Sequence, residues 1–366
     1  MSGRIVVHIG THKTGTTSLQ KGLAANRSLL KRGRVLYPDY GIAGLGSHYA
    51  HIDMANGLAS RHPKFSRENA ESFFSMVRSA SKNYDTTIIS AESFFRQVIN
   101  KKLPQMITSP EEYWESRCKY IKLLRNAIGP AEICLVVRRQ DDFAESMYQE
   151  QIKVTRYAKD FRSFCQDFWF HFEYFSQVNA WKEHFDKVTI VPFEKISGPR
   201  LVNSFLSEIN VEPLCANEHK AHNVSIPHDG VIIKRLGNSL SLNKQQLNQL
   251  AYALGGDHFR SSVYQVPRSF FKSKNDRSKF LGSYNSSNRE VARLGGFDES
   301  YLCSSGGISE FVYGDSLYPA EKLRLLRSLE GSLPTGILAK FPGFSSVNRS
   351  IGSNLLSVLK FVRNKI

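Results

Sequence analysis

The sequence has few of the features that mark disulfide-rich, zinc-binding or membrane-spanning proteins. It has only five cysteines, which are scattered, odd in number and without a CxxC pair, so a disulfide scaffold and a zinc ribbon are both disfavoured. No apolar run approaches the roughly 20 residues that a membrane-spanning helix needs. Polar residues interrupt the first apolar run after Ile9, whereas a secretory leader has a longer uninterrupted apolar region. We therefore expect reduced thiols and a cytoplasmic protein.

The chain is rich in positive charge and in apolar residues. Its formal net charge is +16 and 41% of its 366 residues are hydrophobic, which is typical of a globular protein. Such a charge favours anionic partners, which include a polyphosphate cofactor, an acidic glycan, a nucleic acid and a membrane surface. No recognisable nucleic-acid motif is present, and we expect no nucleic-acid partner.

Apolar β-branched runs alternate with helical patterns along the first two hundred residues. The runs at 4–9, 86–92, 132–138 and 187–194 predict buried strands, and the segments between them predict helices. This alternation predicts an α/β fold, with a P-loop-like, doubly wound, mainly parallel sheet flanked by helices. We also predict a loop over 39–60, a long helical stretch over 161–185 and a helix near 229–254. Residues 1–300 are interpreted as one domain and residues 301–366 as a C-terminal extension.

The segment "GTHKTGTTS" follows the first strand and has the character of a phosphate-binding loop. A Walker A loop has its lysine directly after the second glycine, but here that position is Thr16 and the lysine is Lys13. Backbone N–H groups at the start of the next helix can still surround an oxyanion, and the hydroxyl groups add donors. The candidate cofactor-binding residues in this loop are Lys13, Thr14, Gly15, Thr16, Thr17 and Ser18.

This loop resembles the 5′-phosphosulfate loop of sulfotransferases that use 3′-phosphoadenosine-5′-phosphosulfate (PAPS), in which a lysine precedes Gly-Thr-Thr. The family's second motif is an arginine at a strand end and a serine eight residues later, which match Arg138 and Ser146 in "VVRRQDDFAESMYQ". The usual Asp-Pro after the arginine is Arg139-Gln140 here. The resemblance implies PAPS as donor, no metal, a role for Lys13 at the leaving phosphate, and Arg138 and Ser146 at the 3′-phosphate.

The absence of the RKGxxGDWK motif points to the bacterial or carbohydrate branch of the family. The resemblance therefore implies an acceptor hydroxyl on a glycan. The pattern leaves two alternatives open, which are a P-loop nucleotide kinase or NTPase and a non-catalytic anion-binding protein.

Sulfuryl transfer needs a base that takes the proton of the acceptor hydroxyl. Glu92 is the first candidate because it ends a buried strand, and "SAESFF" resembles the segment with the catalytic glutamate of heparan-type enzymes. His48 is the second candidate because some members use histidine. His48 and His51 could also form a zinc pair, but no cysteine or acidic partner lies near them in the sequence. His8 lies within a strand and is interpreted as a core histidine.

The last thirty residues, 337–366, contain five basic residues and no acidic one. Leu355, Leu359 and Val362 recur at helical spacing beside these basic residues. The pattern is compatible with a basic amphipathic helix on a membrane surface, with a helix that docks on the domain, and with a grip on an acidic glycan.

Overall fold

The structure is a computed structural model that describes residues 3–11, 14–213, 226–263, 266–304 and 311–344. Lys13 and the end of the basic C-terminal segment, residues 345–366, therefore lie outside the described residues. The chain divides into two compact units. The first unit comprises 1–147, 165–223 and 275–307, and the second comprises 148–164, 224–274 and 308–366. The predicted domain boundary at residue 300 stays a prediction.

A five-stranded parallel sheet forms the centre of the first unit, in the order β2-β3-β1-β4-β5. Its strands are β1 (Arg4–Gly10), β2 (Val35–Leu36), β3 (Thr86–Ser90), β4 (Glu132–Val137) and β5 (Lys187–Pro192). The three central strands are buried almost throughout, as expected when helices cover both faces of a parallel sheet. The predicted α/β fold with a doubly wound parallel sheet is confirmed.

Helices connect the strands and continue to the end of the described chain. In chain order they are α1 (Thr16–Ala25), α2 (Arg27–Arg32), α3 (Ile52–Leu58), α4 (Arg67–Ser81), α5 (Pro110–Ile128), α6 (Gln140–Val154), α7 (Phe161–Asp167), α8 (Tyr174–Lys182), α9 (Phe193–Ile196), α10 (Leu201–Glu208), α11 (His228–Ser239), α12 (Lys244–Gly255), α13 (Asp257–Ser262), α14 (Lys274–Gly282), α15 (Asn285–Gly295), α16 (Ser300–Cys303), α17 (Pro319–Arg327) and α18 (Thr335–Leu338). A small second sheet pairs β6 (Arg268–Ser269) with β7 (Val312–Tyr313). No helix within the described ranges has both the length and the apolar composition needed to cross a bilayer.

Three predictions of local structure were wrong. The predicted loop over 39–60 contains α3, which buries Met54, Ala55 and Leu58 on one side. The predicted helix over 161–185 is interrupted by a 3₁₀ turn at Trp169–Phe172, in which Phe170, His171 and Phe172 are all buried. The predicted helix over 229–254 ends at Ser239 and restarts at Lys244.

The restart at Lys244 has a local cause that a sequence pattern can show. Asn243 accepts a hydrogen bond from the backbone N–H of Gln246, and the Gln246 side chain accepts one from the backbone N–H of Asn243. This reciprocal pair is a capping box, which satisfies the first donors of a new helix.

The helix after the phosphate-type loop is held firmly against the rest of the first unit. α1 buries Leu19 and Leu23 in a core cluster that also contains residues of β1, β4 and α10. A Cβ atom added at Gly22 of α1 would lie 2.5 Å from Cγ2 of Val202 in α10, so the two helices approach closely at this glycine. The start of α1 is therefore fixed relative to the carboxyl ends of the strands.

Candidate active site

The carboxyl ends of β3, β1 and β4 lie side by side and form the base of the candidate site. The backbone N–H of Ala91, after β3, donates to the carbonyl of His8 at 3.2 Å, and that of Thr11 donates to the carbonyl of Val136 in β4 at 3.0 Å. In a doubly wound sheet, ligands bind where the connections change direction, which here is between β1 and β4. The loop from Gly10 to Thr16 leaves the sheet at that point.

Gly15 turns the chain from this loop into α1. Its φ of 64° is in the left-handed region, and an added Cβ would lie 3.1 Å from Leu201 and 3.2 Å from Phe193. Both constraints require glycine at this position. Among the described residues no side chain caps the N-terminus of α1, and the first turn contains no acidic residue. The N–H groups and the positive end of the helix dipole are thus suited to an anion.

The hydroxyl groups of the loop differ in their surroundings. The Thr14 hydroxyl donates to the carbonyl of Thr11 at 2.7 Å and closes the turn. The buried hydroxyl of Thr11 has no hydrogen-bond partner within the part of the chain that the structure describes. Thr17 and Ser18 are half-buried on the first turn of α1. A buried polar atom without a partner is a mark of a site that binds water, an ion or a ligand.

Glu92 lies against the start of α1. It follows β3 as the first residue of a 3₁₀ turn, Glu92–Phe95, and its Oε2 accepts a hydrogen bond from the hydroxyl of Thr16. The carboxylate of Glu92, which follows β3, therefore contacts the start of α1, which follows the neighbouring strand β1. Donation from Thr16 fixes the orientation of the carboxylate.

No hydrogen bond joins His48 to Glu92 in the described part of the chain. The His48 ring stacks with those of Tyr40 and Tyr49, with centroid distances of 5.5 Å and 4.5 Å, and its Nδ1 lies 2.9 Å from the carbonyl oxygen and 3.1 Å from the backbone nitrogen of Ala50. The loop that carries His48 is nevertheless tied to the same strand end, because the backbone N–H of His51 donates to the carbonyl of Ser90 at 3.0 Å.

His51 and His8 are structural residues of this strand end. The fully buried His51 donates from Nε2 to the carbonyl of Pro38 at 2.9 Å and accepts at Nδ1 from the N–H of Ser90 at 3.0 Å. Because both its nitrogens are used, His51 cannot pair with His48 at a metal. His8 is buried with its Nδ1 2.8 Å from the hydroxyl of Ser90, as expected for a core histidine. Across the described residues, no cluster of three or more His, Cys, Asp or Glu side chains could hold a metal ion.

Arg138 and Ser146 occupy the positions predicted for the second motif. Arg138 directly follows β4, and Ser146 lies in the second turn of α6. Asp142 and Ser146 are four residues apart in α6 and therefore share a face of this helix. Asp142 also lies close to Arg138. Its Oδ2 is 3.6 Å from Nη2 of Arg138, and its Oδ1 accepts from the buried Arg277 at 2.6 Å. A carboxylate therefore stands beside the arginine that the motif assigns to a phosphate.

The residues that replace the usual Asp-Pro have structural roles. Arg139 donates two hydrogen bonds to the buried Asp141, at 2.9 Å and 2.6 Å, and Arg277 donates a third at 2.6 Å. Burial alone would raise the pKa of Asp141, but the two guanidinium groups outweigh it and hold that pKa below its ordinary value. Gln140 begins α6 and forms reciprocal amide hydrogen bonds with Asn288.

Two side chains near this cluster had no role assigned from the sequence. Glu194 follows β5, and burial raises its pKa although Arg138 acts in the opposite direction. Tyr174 donates its hydroxyl proton to the carbonyl of Arg138 at 2.5 Å. The Phe-Glu pair at the end of the last apolar run was the available signal for Glu194, whereas no sequence pattern indicates the contact of Tyr174.

Comparisons with known proteins leave the family of this chain open. No protein-family model matches it. An uncharacterised protein of Archaeoglobus fulgidus is 26% identical over 277 residues, which cover 71% of this chain and 69% of that protein. The crystal structure of a sulfotransferase from Alicyclobacillus acidocaldarius covers 81% of this chain and 98% of its own, with 11% identity and a TM-score of 0.40. A TM-score this low supports no conclusion about the activity of this chain.

The buried histidines make the stability of the protein depend on pH. Burial lowers the pKa of His8 to about 3 and that of His51 to about 4, from an ordinary value of 6.5. The unfolded chain therefore binds more protons below pH 6.5, and stability that is complete above this pH is lost as the pH falls toward 4. We expect the free energy of unfolding in urea to fall by up to about 1.4 kcal/mol per pH unit for each histidine.

Between pH 6.5 and pH 4, the free energy of unfolding of His51→Gln should depend less steeply on pH, by the contribution of one histidine. His258→Gln is the matched control, because His258 is exposed, and its slope should equal that of the unmodified protein. An unchanged slope in His51→Gln would contradict the assignment of His51 as a neutral buried group.

Proposed function

We propose that the chain is a sulfotransferase that transfers a sulfuryl group from PAPS to a hydroxyl group of a carbohydrate. The observation that carries the proposal is the contact between Glu92 and Thr16, which joins a carboxylate to an anion-binding helix start. Transfer of an anionic group needs both elements within reach of one another, a donor cradle for the anion and a base for the incoming hydroxyl.

The described residues fit the 5′ part of the cofactor. The first turn of α1 contains no acidic residue of its own and no side-chain cap within the described chain, and the buried Thr11 hydroxyl has no partner there. In the proposed site, Thr14, Gly15, Thr16, Thr17 and Ser18 would hold the 5′-phosphosulfate through backbone N–H groups and hydroxyl groups. Arg138 and Ser146 would hold the 3′-phosphate, with Arg138 exchanging Asp142 for the phosphate.

PAPS, when bound, supplies an activated sulfuryl group and a phosphate leaving group. The residues of the chain would have separate tasks in the transfer. Glu92 would accept the proton of the acceptor hydroxyl, and Thr16 would keep the carboxylate oriented until the acceptor takes the place of Thr16. Lys13, by its resemblance to the family lysine, would place a positive charge at the oxygen that the sulfuryl group leaves. His48 is the alternative base in this proposal.

A glycan acceptor and a cytoplasmic location belong to the same proposal. The bacterial or carbohydrate character of the motifs supports a glycan, and the net charge of +16 favours an acidic one. The basic segment 337–366 would contribute to binding such a glycan or an anionic membrane surface.

A P-loop NTPase is the second candidate, and the same contact favours it. In those enzymes a loop hydroxyl and a carboxylate from a neighbouring strand hold Mg²⁺ beside the nucleotide phosphates. Thr16 and Glu92 have these two residue types. Against this candidate, the position that follows the second glycine is a threonine and not the Walker lysine.

Glu92→Gln tests the proposed base. The variant keeps the shape of the side chain but cannot accept a proton at neutral pH, so we expect turnover with radiolabelled PAPS to fall about 10²- to 10⁴-fold. The assay uses the glycan that gives the highest transfer in a screen with the unmodified protein. Binding of 3′-phosphoadenosine-5′-phosphate should stay within about twofold, because no bond to the nucleotide is removed.

Glu173→Gln is the matched control, because Glu173 is also a half-buried carboxylate of the first unit. It should keep full turnover. Full turnover in Glu92→Gln would remove Glu92 as the base, and His48→Gln would then be measured in the same assay.

Asp142→Asn tests the proposed 3′-phosphate pocket. The substitution removes a carboxylate 3.6 Å from Arg138, which relieves repulsion of a phosphate and removes one ion-pair partner of the guanidinium. We expect 3′-phosphoadenosine-5′-phosphate to bind about two- to fivefold more tightly, the scale of a partly exposed ion pair. Calorimetric titration measures the change.

The control for Asp142→Asn is Asp85→Asn, which removes an exposed carboxylate that precedes β3 and pairs with Arg34. This substitution should leave the affinity unchanged. Weaker binding of the nucleotide to Asp142→Asn would contradict the assigned pocket.

A further inference from the structure

A separate polar pocket lies in the first unit and adjoins the candidate active site. Its volume is 270 Å³, and its lining includes Arg61, Arg96, Ser93, Gln97 and Leu103. Ser93 directly follows Glu92 in the same 3₁₀ turn, and the Cα atoms of successive residues are only about 3.8 Å apart. The pocket therefore begins one residue away from the carboxylate that contacts Thr16.

Several buried polar atoms around this pocket have no hydrogen-bond partner among the described residues. They are Nε and Nη1 of Arg61, the hydroxyl oxygen of Ser93 and Oε1 of Gln97. A buried polar atom that loses water without gaining a partner costs about 1–3 kcal/mol, so such an atom usually bonds to water, an ion or a ligand. Their concentration around one cavity indicates a polar occupant.

The charge of the pocket indicates the charge that its occupant carries. Nη2 of Arg61 donates to the backbone carbonyls of Asn100, at 2.8 Å, and Lys102, which fixes the guanidinium without neutralising it. Burial lowers the pKa of Arg61, with no carboxylate acting in the opposite direction. No acidic side chain lines the pocket within the described chain, and the nearby Asp53 pairs with His62 at 3.4 Å. An anion is the ligand that supplies the missing counter-charge.

The pocket also has an apolar side. Ile52, Leu103 and Pro104 complete its lining, and Leu103 is 43% exposed. A bare inorganic ion would leave this side uncovered. A larger molecule with one anionic group and an apolar face, such as the ring of a sugar acid, would contact both sides.

We propose that this pocket binds a carboxylate or sulfate group of the acceptor molecule, next to the hydroxyl group that Glu92 deprotonates. The position of the hydroxyl rests on the proposed function, whereas the anion site itself does not. Arg61 and Ser93 donate to the oxyanion, and Arg96 adds positive charge. The pocket thereby selects acceptors that already carry negative charge over neutral sugars.

Ligand-observed NMR titration of the full chain tests the pocket. The probes are glucuronate, glucose 6-sulfate and glucose, each added to protein saturated with 3′-phosphoadenosine-5′-phosphate, so that the phosphate-type loop is occupied. Both anionic sugars should bind at least about tenfold more tightly than glucose, the scale of a charge-assisted hydrogen bond. The stronger of the two identifies the preferred oxyanion.

Arg61→Gln should reduce the affinity for the anionic sugars about tenfold and leave that for glucose unchanged. The matched control is Arg67→Gln, because Arg67 is also half-buried and donates to a single backbone carbonyl, that of Leu58. The control should bind all probes as the unmodified protein does. If Arg61→Gln does not fold, Ser93→Ala takes its place, with an expected loss of about threefold.

The proposed pocket is overturned if the anionic sugars bind no better than glucose, or if Arg61→Gln and Ser93→Ala both keep the full affinity. The nucleotide titration gives a separate result. Failure of 3′-phosphoadenosine-5′-phosphate to bind would contradict the proposed function, whereas the loss of sugar affinity in Arg61→Gln would still support the anion site.

Discussion

The parallel pairing of β1 with both β3 and β4 is the constraint on which the candidate site depends. Because the three strands run in one direction, their carboxyl ends meet at one edge, and the segments that follow them carry Thr16, Glu92 and Arg138. The register adds precision, since His8 pairs with Ser90 and Gly10 pairs with Val136. A shift of one residue in the pairing of β1 with β3 would separate Glu92 from the start of α1, and a shift in the pairing of β1 with β4 would displace Arg138.

Electrostatic balance distinguishes the two sides of this edge. On the side of β4, Arg138, Arg139 and Arg277 are matched by Asp141, Asp142 and Glu145, so this cluster is close to neutral. On the side of β3, the pocket that contains Arg61 has no carboxylate in its described lining. An incoming phosphate near Arg138 must compete with existing ion pairs, whereas an anion near Arg61 meets an uncompensated charge. We therefore expect a phosphate to bind near Arg138 by displacing ion-pair partners, and an anion to bind near Arg61 without displacing any.

Much of the fold could be predicted because long buried strands leave a strong pattern in sequence. The apolar β-branched runs indicated the order of the elements, and the glycines with the hydroxyl run indicated the loop. The failures occurred where tertiary packing decides the outcome, as in the 3₁₀ turn at Trp169–Phe172. The contact of Arg277 with Asp141 joins residues 136 positions apart, and no local pattern could reveal it. The pocket around Arg61 was missed for the same reason, since it combines three separate segments.

The central claim is that the loop before α1 and the start of α6 together bind a nucleotide with phosphates at both the 5′ and the 3′ positions. Calorimetric titration of the full chain with 3′-phosphoadenosine-5′-phosphate, adenosine 5′-phosphate and ATP with Mg²⁺ tests it most directly. We predict that the 3′-phosphorylated nucleotide binds at least about tenfold more tightly than adenosine 5′-phosphate, because Arg138 adds a charge-assisted hydrogen bond. Equal affinities for these two nucleotides, or tighter binding of ATP with Mg²⁺, would contradict the account.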